Sequence, residues 1–265
     1  MALAGSHEEH IIINGTLLTG AQNVSFQQNV NEAPISTLGN DFGGTTINGP
    51  TTVTAAIDKF LLNGDFVTGL TGVTTISGQF EYGDNFLNFS QGVLEGYAVS
   101  ASIGELPQIS FDLSIYGSLS GSNTSIRSSA STENAIEEVS QSGLIITFDK
   151  NATNAVQSFN FSETFNAQPI YGLGQNTPSH LSIIGPIAQE ATITIEVEDY
   201  EFEETFSFLN ASKDRNRTIK LQISGSNGIL NTFALENGHL VSESITAGVR
   251  DTIIANLTYR GFKKV

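Results

Sequence analysis

The chain has 265 residues, 39% hydrophobic and 14% charged, with a formal net charge of −16. No stretch approaches the roughly 20 apolar residues of a membrane-spanning helix, and the absence of cysteine excludes disulfides and thiolate metal sites. With 11 cations against 27 anions, the chain has too few positive charges to grip nucleic acid through counterion release.

In chain order, the opening MALAGSHEEH carries acids and histidines where a secretory leader would carry a basic run and a long apolar core. No export or membrane signal is therefore expected. His7 and His10 lie three apart, whereas the HExxH zinc pattern places its histidines four apart on a helix. A solvated arm is the expectation there. Val24, Phe26 and Val30 then alternate with Asn23, Ser25, Gln27 and Asn29, the period-two pattern of a strand with one apolar face. The segment AAIDKFLLNG fits a helical face through Ala56, Ile57, Phe60 and Leu61, but its later counterpart ATITIEVEDYEFEETF alternates and is rich in β-branched residues. Thr52 to Leu61 is therefore read as mostly extended, and a bulge is expected near Glu198-Asp199, where the apolar phase shifts. Further strands are expected on Tyr97, Val99, Ala101 and Ile103, on Ile109, Phe111, Leu113 and Ile115, and on Ile219, Leu221 and Ile223. Gly, Asn and Asp clusters separate these runs, as turns require.

The chain repeats itself. AQNVSFQQNVNEAPISTLGN from Ala21 matches VQSFNFSETFNAQPIYGLGQ from Val156 without a gap, so that Phe26 meets Phe161 and Pro34 meets Pro169 at an offset of 135. Gly49-Pro50 recurs at Gly185-Pro186. IIING at Ile11 answers IITFD at Ile145, Val99-Ser100 answers Val241-Ser242, and Tyr116 answers Tyr259. The reading is all-β: two tandem β-sandwich or partial-barrel domains of about six to eight strands each, over 1–118 and 144–265. Residues 119–143 form the connection. Its Ser/Asn-rich start suits a flexible or surface-draped linker, and Thr132 to Ser142 has the acids and apolar stripe of a short helix ended by Gly143.

Chemistry-bearing motifs are missing. No G-x-S-x-G elbow, P-loop or dinucleotide glycine pattern occurs, and no Ser/His/Asp arrangement repeats. No enzyme activity, metal or cofactor is expected. Glu196, Glu198, Asp199, Glu201, Glu203 and Glu204 make the densest charge run; their spacing does not match an EF-hand loop, and a strand face toward water or a channel accounts for them. Residues 1–120 hold eleven acids and one cation, Lys59, while Lys213, Arg215, Arg217 and Lys220 lie in the second half. Those four are the candidate contacts through which complementary halves of neighbouring copies would meet.

The strand motif G-A-x-x-V-x-F (Gly20 to Phe26), then P-I-x-x-L-G (Pro34 to Gly39), then x-G-P, with the later GDFVTGLTG (Gly64 to Gly72), resembles the tail tube proteins of long-tailed bacteriophages. The doubled pattern resembles the duplicated form in which three chains build a pseudo-six-fold ring. The resemblance implies a structural virion protein: homotrimeric rings stacked into a tube, assembled in the host cytoplasm and incorporated in the phage tail. It further implies contacts with terminator, distal tail and tape measure proteins, and double-stranded DNA passing a negatively charged lumen without tight binding. Gln28, Asp112, Glu163 and Glu243 are the candidate lumen-facing residues. Alternatives are a distal tail, baseplate hub or decoration protein, a carbohydrate-binding or adhesive β-sandwich, which the lack of tryptophan weakens, and a glycan-cleaving enzyme.

Overall fold

A computed structural model describes residues 9–29, 32–34, 46–48, 50–71, 75–117, 119–127, 131–132, 137–148, 151–173, 175, 177–197, 217–246 and 253–264. The first segment contributes β1 (Glu9–Ile13), β2 (Thr16–Leu17), β3 (Ala21–Asn29), β4 (Glu32–Pro34), β5 (Thr46–Asn48), β6 (Thr52–Phe60), β7 (Ile76–Tyr82), β8 (Asn85–Ser102) and β9 (Gln108–Tyr116). The connection adds β10 (Ser120–Ser122) and β11 (Ser131–Thr132). The second segment contributes β12 (Leu144–Phe148), β13 (Asn151–Thr153), β14 (Val156–Thr164), β15 (Ala167–Tyr171), β16 (Pro178–Ile183), β17 (Ile187–Val197), β18 (Arg217–Gly225), β19 (Gly228–Thr246) and β20 (Ile253–Lys263). The fold is all-β and almost wholly antiparallel, and among the described residues the sheet does not close into a barrel.

Eight strands pair side by side in the order β3-β6-β9-β8-β14-β17-β20-β19. Alternation gives this sheet one apolar and one polar face. In β9, Ile109, Phe111, Leu113 and Ile115 are buried while Ser110 and Asp112 are exposed. Thr52–Phe60 is extended as expected, with Val53, Ala55, Ile57 and Lys59 inward. Two smaller groups, β2-β1-β7 and β13-β12-β18, join the early parts of β8 and β19, and their residues share one core with the apolar face. Phe26 stacks on Phe80 at 5.7 Å between ring centroids, and Phe148 meets Tyr259 at 5.3 Å. β8 and β19 serve both groups, and register breaks at Leu94/Gly96 and Leu240/Ser242 mark where each passes from one to the other.

The two segments share a pairing plan. β1·β2, β1·β7, β3·β6, β4·β5, β6·β9, β7·β8 and β8·β9 recur as β12·β13, β12·β18, β14·β17, β15·β16, β17·β20, β18·β19 and β19·β20. Even irregularities recur: the break at Ala21/Asn23 has its match at Val156/Ser158, and that at Ile76/Gly78 at Arg217/Ile219. Following the ladders, Val24 pairs with Ile57 and Ile57 with Phe111, as Phe159 pairs with Ile193 and Ile193 with Leu257. Phe111 therefore corresponds to Leu257, and three sequence matches are corrected. Tyr259 corresponds to Leu113 rather than Tyr116, Ile245 rather than Val241 corresponds to Val99, and Ile13 corresponds to Phe148, one residue from the expected alignment. The β18·β19 hairpin is longer than β7·β8 and carries an extra break at Ile223/Ser224. The three matches were off by three, four and one residues, so short identities alone do not register these strands.

Where it is described, the connection runs over the surface with residues 120–127 mostly exposed, and it is anchored there by β10 pairing with β8 and by side-chain contacts. Gln79 donates through Nε2 to Asn88 Oδ1 at 2.7 Å and to the Thr124 carbonyl at 3.0 Å, while its Oε1 accepts from Ile126 N at 3.0 Å. Ser125 donates to the Glu81 carboxylate. Thus Ile12, Gln79 and Glu81 are buried. Val139 is buried too, with its N–H on the Glu105 carbonyl at 3.1 Å. Thr132 lies in a short strand beside β2, residues 137–140 are irregular and a turn follows at 141–142, so those residues do not form the expected helix. The competing contacts to Glu105 and Ser224 explain this.

A buried ion pair closes the end of β6. Lys59 Nζ lies 2.7 Å from Asp65 Oδ2, both side chains fully enclosed, and Asp65 also accepts from Leu62 N at 3.1 Å and Val67 N at 2.9 Å. Asp65 thereby caps the 3-10 turn Phe66–Leu70.

Candidate functional site

The polar face of the eight-strand sheet runs across both segments. Directly opposed residues point to the same side. Asn23 faces Asp58, Ser25 faces Ala56, Asp112 faces Ala56 and Gly96, and Ala98 faces Ser110 and Ser162. Asn160 faces Ser100 and Thr192, Thr192 faces Thr258, and Thr258 faces Ser242. The face is thus paved with small hydroxyl, amide and methyl groups. Among the described residues its charges are Asp58, Glu95, Asp112, Glu190 and Glu196 against Arg260, whose Nε lies 2.6 Å from Glu190 Oε2. Burial raises the Asp112 carboxyl above the usual range, helped by the neighbouring Glu95 and Asp58 carboxylates. The face is mostly hydrophilic and negative, with Phe262 half exposed near one end.

Of the sequence-selected lumen residues, only Asp112 stands on this face. Gln28 opposes Val53, Glu163 opposes Gln189 and Glu243 opposes Leu257, so these three belong to the apolar side. Glu163 is only 4% exposed and accepts from Gln189 Nε2 at 2.6 Å, which removes it from any water-filled channel. These three were chosen by their own polarity, whereas the side a strand residue faces is set by the parity of its position. Lys220 is exposed on β18, and Arg217 begins that strand opposite Gly238, next to the part of β19 that ends the eight-strand order; Lys213 and Arg215 lie outside the described residues. So do His7, Glu198, Asp199, Glu201, Glu203 and Glu204, together with the expected bulge; Glu196 accepts from Gln157 Nε2 at 2.7 Å.

The second component is a junction that the sequence reading missed. β14 pairs antiparallel with β8, setting Phe161 opposite Val99 and Glu163 opposite Tyr97, and so fuses the two segments' four-strand portions. Tyr97, Phe161, Phe165 and Phe233 gather behind it, with ring centroids 5.3 to 6.4 Å apart. Burial, followed by the Glu163 carboxylate, raises the Tyr97 phenol well above its ordinary range. Gly96 allows the close approach: a Cβ there would sit 2.9 Å from the Glu163 carbonyl oxygen.

The chain matches no protein-family model and no curated protein sequence. β3 at one end of the order pairs with β6, and residues 239–246 of β19 at the other end pair with β20. Among the described residues, each end lacks the neighbour that β8 and β14 give one another.

Proposed function

We propose that this protein is a structural ring subunit, the duplicated-domain tail tube protein of a long-tailed bacteriophage, and that its polar sheet face lines the conduit through which DNA leaves. The single observation that carries this reading is the β8·β14 junction. It joins two four-strand units of like pairing plan edge to edge, and leaves the same two kinds of edge at the ends. A contact between two different edges is heterologous, so repeating it makes a ring where the rotation closes.

Strand spacing favours three chains. Eight strands per chain at ~4.8 Å give three chains a backbone circumference of ~115 Å and a diameter of roughly 37 Å, widened further by strand tilt. Two chains would enclose only about two thirds of that width, too tight for a duplex once side chains are added. The lining suits passage rather than binding: phosphates find small neutral groups and carboxylates, with Arg260 held by Glu190. In this role the chain is not an enzyme and needs no cofactor; it would act in the virion, with itself and other tail components as partners.

Negative-stain microscopy of the purified chain at rising concentration tests the role. Rings or hollow filaments with a central opening wide enough for a duplex are expected. Monomers that persist at high concentration, or tight salt-sensitive binding of double-stranded DNA, would refute it.

A further inference from the structure

The ring reading leaves open how one chain meets the next, and the junction inside the chain answers that question residue by residue. We propose, resting on that reading, that β3 of one chain pairs antiparallel with residues 239–246 of β19 in the next, in the single register that sets Phe26 opposite Ile245 and Gln28 opposite Glu243. The partner is a second copy of this chain.

The register follows from the ladders. Phe161 and Val99 are opposed within the chain; by their positions in the shared pairing plan, their counterparts are Phe26 and Ile245. Exposure separates the filled junction from the open one. Phe161 and Val99 are each 1% exposed, whereas Phe26 is 38% and Ile245 51% exposed. The same step carries Glu163 and Tyr97 to Gln28 and Glu243, so the carboxylate changes strands and the new junction holds one amide donor facing one carboxylate. Alongside the first residues of β3 lies a cavity of about 360 Å³, bordered by Ala21, Gln22, Asn23, Val24, His10 and Phe80. The corresponding stretch of β14 is met by the end of β8, where Ile103 N donates to the Gln157 carbonyl at 3.1 Å.

The natural absence of cysteine makes the test clean. Two double variants, Gln27→Cys with Ser244→Cys and Gln28→Cys with Glu243→Cys, place thiols at adjacent positions of the ladder. One of these pairs is of the closer, non-hydrogen-bonded type that a disulfide spans. Oxidation with excess oxidised glutathione should give at least one of them non-reduced bands of two and three chains and none larger. Gln27→Cys with Ser242→Cys, two residues out of register, should stay uncrosslinked. Crosslinking by Gln27→Cys alone would mean that β3 edges meet each other, and would overturn the proposal. Rings seen by microscopy without crosslinks in either in-register pair would overturn the register while leaving the ring. Absence of both rings and crosslinks would overturn the two together.

Discussion

β3 and β14 occupy the same place in the two segments' pairing plan, yet one lies open and the other is enclosed. Each carries a phenylalanine at the matching position, and only Phe161 is buried, because β8 lies along its strand. The difference lies in the neighbour, not in the strand. A second contrast is internal. Lys59 sits where the second segment has Ile195: both are buried, opposite Ile109 and Ala255 respectively. One plan therefore tolerates a charged pair or a hydrocarbon at the same site, provided the charge brings its own counterion and backbone donors.

The largest expected effect tests that second contrast. Lys59→Ile copies the other segment's residue but leaves Asp65 enclosed without its cation. Stability should fall by about 3–5 kcal/mol, read as a drop in the urea midpoint. Adding Asp65→Asn should recover much of the loss; no recovery would mean that the lysine stem, not the charge, matters there. A smaller effect is expected at the junction. Gly96→Val forces a side chain against the Glu163 backbone and should cost about 1–3 kcal/mol. Ser242→Val, at the matching place on the open β19 edge, should change unfolding of the single chain by no more than about 0.5 kcal/mol. Equal losses at the two positions would break the comparison of filled and open edges.

Most of this plan was legible in the sequence, but not all for the same reason. Period-two alternation placed β9 and β18 and their buried sides, since burial of one face is what makes the pattern, while β6 was read as extended through its later counterpart and β3 was placed without having a buried side. The Phe26/Phe161 and Pro34/Pro169 matches found the correct offset for β3 and β14 because no insertion intervenes. The offset was misjudged past β7, where the longer β18·β19 hairpin shifts the register. The β8·β14 contact was invisible, because a strand edge is formed by backbone groups that every residue carries. Gln79, Glu81 and Glu163 are polar yet buried, each holding a hydrogen bond to a residue distant in sequence, which no local pattern reports.

The smallest effect concerns the polar face, where Asp112 in the first segment corresponds to Thr258 in the second. A carboxyl whose folded pKa is raised binds its proton more readily folded than unfolded, so its ionisation weakens the fold as pH rises through the folded value. Asp112→Asn should raise the melting temperature slightly at neutral pH. That advantage should close as pH falls through the folded value toward the unfolded one. An advantage that grows on acidification would contradict the crowding by Glu95 and Asp58.

The completion of one chain's β3 by the next chain's β19 is tested most directly by native mass spectrometry of the purified protein across a concentration series. The account predicts a closed species of three chains, with stacks in multiples of three. A dominant dimer, or an unbroken ladder of one, two, four and five chains, would contradict it.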